Sequence, residues 1–121
     1  MTRRKYRLAA LIYALVITAA SLQPQRPEGL HSSGLHPPLH LLCFIGFVVL
    51  THQGFPGSSR LLWIIPLAAL LGVGIEFMQH WEFHEAVEWN DVRSDAIGAA
   101  VGGLLCLLSN RREIVRRSSA N

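Results

Sequence analysis

Charged residues are scarce in this sequence: Asp, Glu, Lys and Arg make up only 16% of its 121 residues, whereas half are hydrophobic. Hydrophobic residues this abundant and this clustered exclude an ordinary soluble domain of the same length. The sequence also lacks an H-E-x-x-H motif, a glycine-rich phosphate loop, a nucleophile elbow and a Cys-x-x-Cys pair. Because these signatures of catalysis are missing, we predict no cofactor.

Cysteine is equally scarce, with only Cys43 and Cys106 present. Each lies inside an apolar run, and the topology derived below places them toward opposite faces of a bilayer. We therefore expect no disulfide between them and interpret both as small hydrophobic side chains.

Four apolar segments predict an all-α, four-transmembrane-helix bundle that forms one domain over residues 1–121. The segments lie at about residues 8–22, 38–51, 61–80 and 91–108, followed by a basic cytoplasmic tail at 110–121. The third segment would span roughly 30 Å as a helix, which matches the hydrocarbon core of a bilayer. Residues 23–38 hold four prolines and two glycines and predict a loop.

The first segment has a second interpretation. It is short for a membrane span, it follows a basic start, and the small residues Ala19, Ala20 and Ser21 stand near its end. These features occur in secretory signal peptides, although a clean A-x-A cleavage pattern is missing. We expect a retained helix, and the cleaved signal peptide stays open as the alternative.

Lys and Arg are distributed unequally among the ends of the predicted helices. Nine of the eleven lie at the start of the chain, at Arg60 or in the tail, and only Arg26 and Arg93 lie in the other two connections. Because such an excess marks the cytoplasmic side, we predict a multi-pass protein of the bacterial inner (plasma) membrane with both termini cytoplasmic. Basic runs at the chain ends, rather than along one recognition face, also argue against a nucleic-acid partner.

Ionisable residues inside the predicted helices fall at one depth. Glu76 lies 16 residues after Arg60, and Asp95 lies 16 residues before Arg111, which is roughly 24 Å of helix in both cases. His40 opens the second helix at a similar depth, roughly 21 Å from the following turn. Such residues are expensive against lipid, so they should face the bundle interior or an outward cavity.

The predicted site is an outward-facing, acidic polar pocket with a bound cation or the polar head of an envelope component as its partner. Its predicted lining is His40, Glu76, Gln79, Asp91 and Asp95. Asp91 and Asp95 are four residues apart and repel each other unless a cation, a proton or a basic side chain lies between them. An acidic pocket attracts cations and repels a bare phosphate. The alternative is that these residues only fix helix packing.

Two histidines support a weaker hypothesis of a metal site. Glu76, Gln79, His80 and His84 share one face if the third helix continues into the connection that follows it. His80 and His84 with a carboxylate are ligand types that zinc accepts, and a metal-activated water there would make the protein a hydrolase of a lipid-linked envelope substrate. The absence of a recognised metallohydrolase spacing argues against an enzyme.

Three motifs occur in order along the chain: His40 with Phe44, then Gly72, Glu76 and Gln79 in a G-x-x-x-E-x-x-Q run, then Asp91 followed by Gly98 and Gly102. In these motifs residues 39–105 resemble the VanZ-like family of small bacterial integral membrane proteins, named for a member linked to low-level teicoplanin resistance. The resemblance implies a cell-envelope or glycopeptide-resistance-related role without a settled reaction. Asp95 and Glu85 stand where the family usually has asparagine and arginine, so an anion-binding role is not implied here.

Overall fold

The computed structural model describes residues 2–22, 36–84 and 86–119, and these form four α-helices without any strand. The helices are α1 (Arg3–Ser21), α2 (His36–Gly54), α3 (Leu61–Phe83) and α4 (Trp89–Ser118), with a 3₁₀ turn, Ser58–Arg60, before α3. The predicted all-helical class and the number and order of the helices are confirmed. Most of the predicted proline-rich loop, residues 23–35, lies outside the described residues.

The helices are longer than the apolar segments that predicted them. α1 already begins at Arg3, α2 continues to Gly54, and α4 continues to Ser118 instead of ending near residue 108. Charged residues such as Arg and Glu are good helix formers, so a helix does not end where its apolar surroundings end. The predicted end of the last helix near residue 108 is therefore wrong, because the basic tail is helical through Ser118.

α2 lies at the centre of the bundle, where it packs against α4 on one side and α1 on the other, and α3 packs against α4. Phe44, Phe47 and Val48 of α2 are buried in the core. The Phe47 ring stacks on Tyr13 of α1 with 6.5 Å between the ring centroids. The Tyr13 hydroxyl also donates a hydrogen bond to the Cys43 carbonyl oxygen at 3.2 Å, so α1 is held to α2 by both apolar and polar contacts.

Glycines allow α4 to lie directly against its neighbours. A Cβ at Gly98 would lie 2.5 Å from the Leu41 carbonyl oxygen, and one at Gly102 would lie 3.0 Å from the Ile45 carbonyl oxygen. A Cβ at Gly103 would collide with a side chain of α3. These glycines therefore make close helix contacts within the chain, which is a common role of small residues in helix packing.

Within the residues that the structure describes, two helical segments are long and apolar enough to cross a membrane, Ser58–Phe83 and Trp89–Arg116. α2 contributes a shorter apolar helix, Pro38–Gly54. Large apolar side chains cover the outside of the bundle; Leu62 and Trp63, for example, are 74% and 78% exposed. Because exposed apolar surface of this kind is unfavourable in water, these features support membrane association.

Candidate functional site

His40 of α2 lies between two aspartates of α4. Its Nδ1 is 3.0 Å from Asp95 Oδ1, within hydrogen-bond distance, and its Nε2 is 3.6 Å from Asp91 Oδ2. The aspartates are one helical turn apart, so both carboxylates leave α4 on the face that meets α2. Both are buried, with Asp91 4% and Asp95 1% exposed. His40 and Asp95, for which the sequence predicts a similar depth, are thus in direct contact.

The two contacts of the imidazole ring bear on its protonation. A neutral imidazole has one N–H group and one unprotonated nitrogen, so it donates to only one carboxylate. The protonated ring of His40 would donate toward both aspartates and place a positive charge between them. Since a buried carboxylate without a partner is costly, this arrangement explains how two aspartates share one face of α4.

Gly72 of α3 makes room for Asp95. A Cβ at Gly72 would lie 2.5 Å from Oδ2 and 2.8 Å from Cβ of Asp95, so the aspartate occupies the space that a larger residue would fill. Within the described part of the chain, Asp95 Oδ2 is buried without a hydrogen-bond partner. Unsatisfied buried polar atoms are rare in folded proteins, and a bound proton, ion or water is a common explanation.

Glu76 of α3 completes the acidic side of the site. It is 3% exposed, and its Oε2 accepts a hydrogen bond from the Glu88 backbone N–H at 3.0 Å. This bond, which nothing in the sequence pattern indicated, anchors the connection between α3 and α4. Glu88 directly precedes α4, so this bond brings Glu76 to the end of α4 that carries Asp91. We refer to His40, Glu76, Asp91 and Asp95 as the polar cluster.

The composition of the polar cluster limits what it can bind. It contains three carboxyl groups and one imidazole, so protonation of the ring alone leaves the ionised cluster negative. A negative, mostly buried site favours a proton or a cationic group and disfavours an anion. Chemically, the cluster can hold a proton between the imidazole and the carboxylates, and its negative charge favours a cationic group over an anion.

Gln79, the fifth residue of the predicted pocket, points elsewhere. Its Nε2 donates a hydrogen bond to the Ser21 carbonyl oxygen at 2.8 Å, which ties the end of α1 to α3. Three residues along a helix leave about 60° between the side chains of Glu76 and Gln79, enough for the first to face α4 while the second faces α1. The structure therefore places Gln79 beside the polar cluster and gives it a helix-pairing contact.

The histidines of the metal-site hypothesis lie at the end of α3. This helix ends at Phe83, and His84 adopts a left-handed backbone conformation with a φ of 57°. The condition under which His84 would share the helical face of Glu76 and His80, a helix that continues through residue 84, is therefore not met. Among residues 2–22, 36–84 and 86–119, no group of three or more His, Cys, Asp or Glu side chains is placed to hold a metal ion.

A second set of polar contacts lies at the opposite end of the bundle. His52 is 4% exposed and its Nε2 lies 3.2 Å from Asn110 Nδ2. Arg7 donates from Nε to the Gly54 carbonyl oxygen at 3.0 Å, and its guanidinium lies 4.4 Å from the centroid of the Phe55 ring. The contacts were missed because residue spacing within one helix does not indicate which other helix it meets.

Comparison with protein-family models, with curated proteins and with solved structures finds no match to this chain. The resemblance to the VanZ-like family therefore stays a prediction from three short motifs. Of the residues that carry it, His40, Glu76 and Asp91 belong to the polar cluster, Gly72 packs against that cluster, and Gly98 packs against α2.

Proposed function

We propose that this chain is an integral protein of the bacterial inner membrane whose four helices cross the bilayer, with both termini cytoplasmic. Two helices of membrane-spanning length and the apolar outer surface support the bilayer placement. Nine of the eleven Lys and Arg residues lie at the two chain ends or in the turn before α3, which supports a cytoplasmic position for this side of the bundle. The polar cluster then lies toward the outer face.

The two remaining helices have nearly the length that a membrane span needs. α1 and α2 contain 19 residues each, or about 28 Å of helix with the basic first turns of α1 included, against a hydrocarbon core of about 30 Å. The basic residues of α1 all fall in its first turns. At that position long basic side chains extend to the cytoplasmic headgroups while the rest of the helix stays in lipid.

Within this placement, the polar cluster is an outward-facing binding site for a cation or for the polar head of a cell-envelope component. The observation that carries this proposal is His40 held between the buried aspartates Asp91 and Asp95. Ionisable residues inside a membrane helix are costly, about 2.5–3.5 kcal/mol each at mid-membrane on the insertion scale. Uncharged Ser, Thr, Asn or Gln would link the helices at lower cost, so packing alone does not account for the choice of residues.

The cell-envelope context comes from the motif resemblance to the VanZ-like family. It predicts that the protein changes the susceptibility of cells to envelope antibiotics such as teicoplanin. In the described part of the chain, no group of three or more His, Cys, Asp or Glu side chains is placed to hold a metal ion, so the structure adds no support for the alternative of a metal-dependent hydrolase.

The test compares cells that lack the protein with cells that carry wild type, Glu76→Gln or Asp95→Asn. Protein amount and teicoplanin susceptibility are measured in each strain. We expect both variants to accumulate like wild type and to show the susceptibility of the deletion strain. Glu113→Gln is the matched control, because it makes the same change from carboxylate to amide at an exposed residue near the other end of α4, and it should keep wild-type susceptibility.

Gly102→Leu serves as a packing control, since a Cβ at this position already lies 3.0 Å from both the Ile45 carbonyl oxygen and Val48 Cβ. This variant should lose protein and phenotype together. A purely structural role predicts that the amide variants of the polar cluster keep the phenotype, or lose it only in proportion to protein lost. Either result, or a deletion strain with unchanged susceptibility, would overturn the proposal.

A further inference from the structure

A groove that the proposed function does not use lies at the outer end of the bundle. It has a volume of about 440 Å³ and is lined by Leu22, Met78, Trp81, Glu82 and Phe83. These residues come from the end of α1 and the last turns of α3, which the bond from Gln79 to Ser21 holds together. The groove is therefore formed by the ends of two helices that a hydrogen bond links directly.

The position of the groove relative to the membrane follows from two tryptophans on α3. Trp63 and Trp81 are 18 residues apart, which is roughly 27 Å along the helix and close to the thickness of a hydrocarbon core. Tryptophan concentrates at the two boundaries between lipid and water. In the proposed orientation, Trp81 and the groove lie at the outer boundary, where phospholipid headgroups meet their acyl chains.

The lining offers partners for the two parts of a phospholipid that meet at this depth, the acyl chains and the headgroup. Leu22, Met78 and Phe83 are apolar, whereas Glu82 is an exposed carboxylate. Beside it, Trp81 is 84% exposed, so its indole face is open to a ligand. An aromatic face together with a carboxylate attracts a cation, and the carboxylate repels a headgroup whose only charge is a phosphate.

We propose that this groove binds a phospholipid whose headgroup carries a primary ammonium, such as phosphatidylethanolamine. The ammonium N–H groups donate to Glu82 and lie against Trp81, while the start of the acyl chains packs on the apolar lining. A choline headgroup has no N–H to donate to Glu82, and a glycerol headgroup has no positive charge. A volume of about 440 Å³ lies within the range of roughly 300–1,000 Å³ for small-ligand sites.

Trp81 lines the groove and reports directly on its occupant. The protein with Trp63→Phe and Trp89→Phe keeps Trp81 as its only tryptophan and is reconstituted in vesicles of phosphatidylcholine mixed with phosphatidylethanolamine or phosphatidylglycerol. One lipid at a time carries brominated acyl chains, which quench nearby indole fluorescence. We expect brominated phosphatidylethanolamine to quench Trp81 most strongly at equal mole fraction, and Glu82→Gln to reduce this preference by roughly tenfold in relative affinity.

The variant that keeps only Trp63 is the matched control, because Trp63 is also exposed but lies at the other end of α3. It should be quenched without a preference for phosphatidylethanolamine. Equal quenching of Trp81 by all three lipids, a preference for phosphatidylcholine, or a preference that survives Glu82→Gln would overturn the proposal.

The inference rests on the proposed membrane placement, and its failure is distinguishable from failure of that placement. If brominated lipids quench Trp63 but not Trp81, the groove is closed to lipid and only this inference is wrong. If they quench neither tryptophan, the chain does not lie in the bilayer and the proposed function falls with it. Native mass spectrometry of wild type and Glu82→Gln, with all tryptophans retained, gives a second comparison: wild type should retain phosphatidylethanolamine and Glu82→Gln should lose it.

Discussion

A methyl group added at Gly72 tests whether the polar cluster is packed against α3 as the structure shows. A Cβ at this position would lie 2.5 Å from Oδ2, 2.8 Å from Cβ and 3.0 Å from Cγ of Asp95, so either the aspartate or one of the helices must move. At Gly74, two residues along the same helix, a Cβ meets no atom within 4 Å. Gly72→Ala and Gly74→Ala therefore share the chemical change and differ in what surrounds it.

The expected size of the effect follows from two contributions to the free energy of unfolding. Replacing a glycine inside a helix by alanine stabilises the protein by about 0.5–1 kcal/mol. Only Gly72→Ala adds the strain of an overpacked interior, which is typically about 1–3 kcal/mol. We expect Gly74→Ala to equal or slightly exceed wild type in stability, and Gly72→Ala to be less stable than Gly74→Ala by about 1–3 kcal/mol.

The assay is reversible unfolding of the purified proteins in mixed micelles with an increasing fraction of SDS, followed by circular dichroism. The penalty of Gly72→Ala should shrink in an Asp95→Ala background, because Oδ2 and Cγ, two of the three crowded atoms, are then absent. Equal free energies of unfolding for Gly72→Ala and Gly74→Ala would refute the described contact between Asp95 and α3.

Three further predictions use the same unfolding assay. His40→Ala leaves two buried aspartates without the imidazole between them and should lower the free energy of unfolding by about 3–5 kcal/mol. Asp95→Asn should lower it less, because asparagine keeps a hydrogen-bonding side chain; the opposite order would contradict the contact of His40 with both aspartates. Gln79→Ala removes the hydrogen bond to α1 and should lower the free energy of unfolding by about 0.5–1.5 kcal/mol. It should leave antibiotic susceptibility unchanged; a lost phenotype at normal protein level would place Gln79 in the functional site. Tyr13→Phe removes the bond to α2 at a similar cost, and unchanged stability would count against that bond.

The order of the helices was predictable from the sequence, whereas their ends were not. Apolar segments mark where lipid or the core surrounds a helix, but a helix continues as long as its residues tolerate the conformation. Asn110 and the arginines that follow it end the apolar surroundings of α4 without ending the helix. In the opposite direction, His84 ends α3 by adopting a left-handed conformation that residue spacing did not indicate.

The polar cluster was predictable in depth but not in rotation. Because the rise of a helix is constant, counting residues from Arg111 and from the turn after α2 placed Asp95 and His40 at one level, and they are in contact. The same counting does not show how each helix turns about its own axis, so Gln79 was expected beside Glu76 and instead meets α1. The hydrogen bond from the Glu88 backbone to Glu76 depends on the conformation of a connection, for which the sequence has no periodic pattern.

The polar cluster must lie at the outer face of a membrane if it serves as proposed, and thiol labelling measures this directly. Single cysteines are introduced by Glu88→Cys, next to the cluster, and by Ser119→Cys, beyond the end of α4, after Cys43 and Cys106 are replaced by alanine; residues 88 and 119 are both exposed. In intact cells, a membrane-impermeant maleimide should label Glu88→Cys, and it should label Ser119→Cys only after the membrane is permeabilised. Labelling of Ser119→Cys but not Glu88→Cys in intact cells, or equal labelling of both, would contradict an outward-facing site in a membrane-spanning bundle.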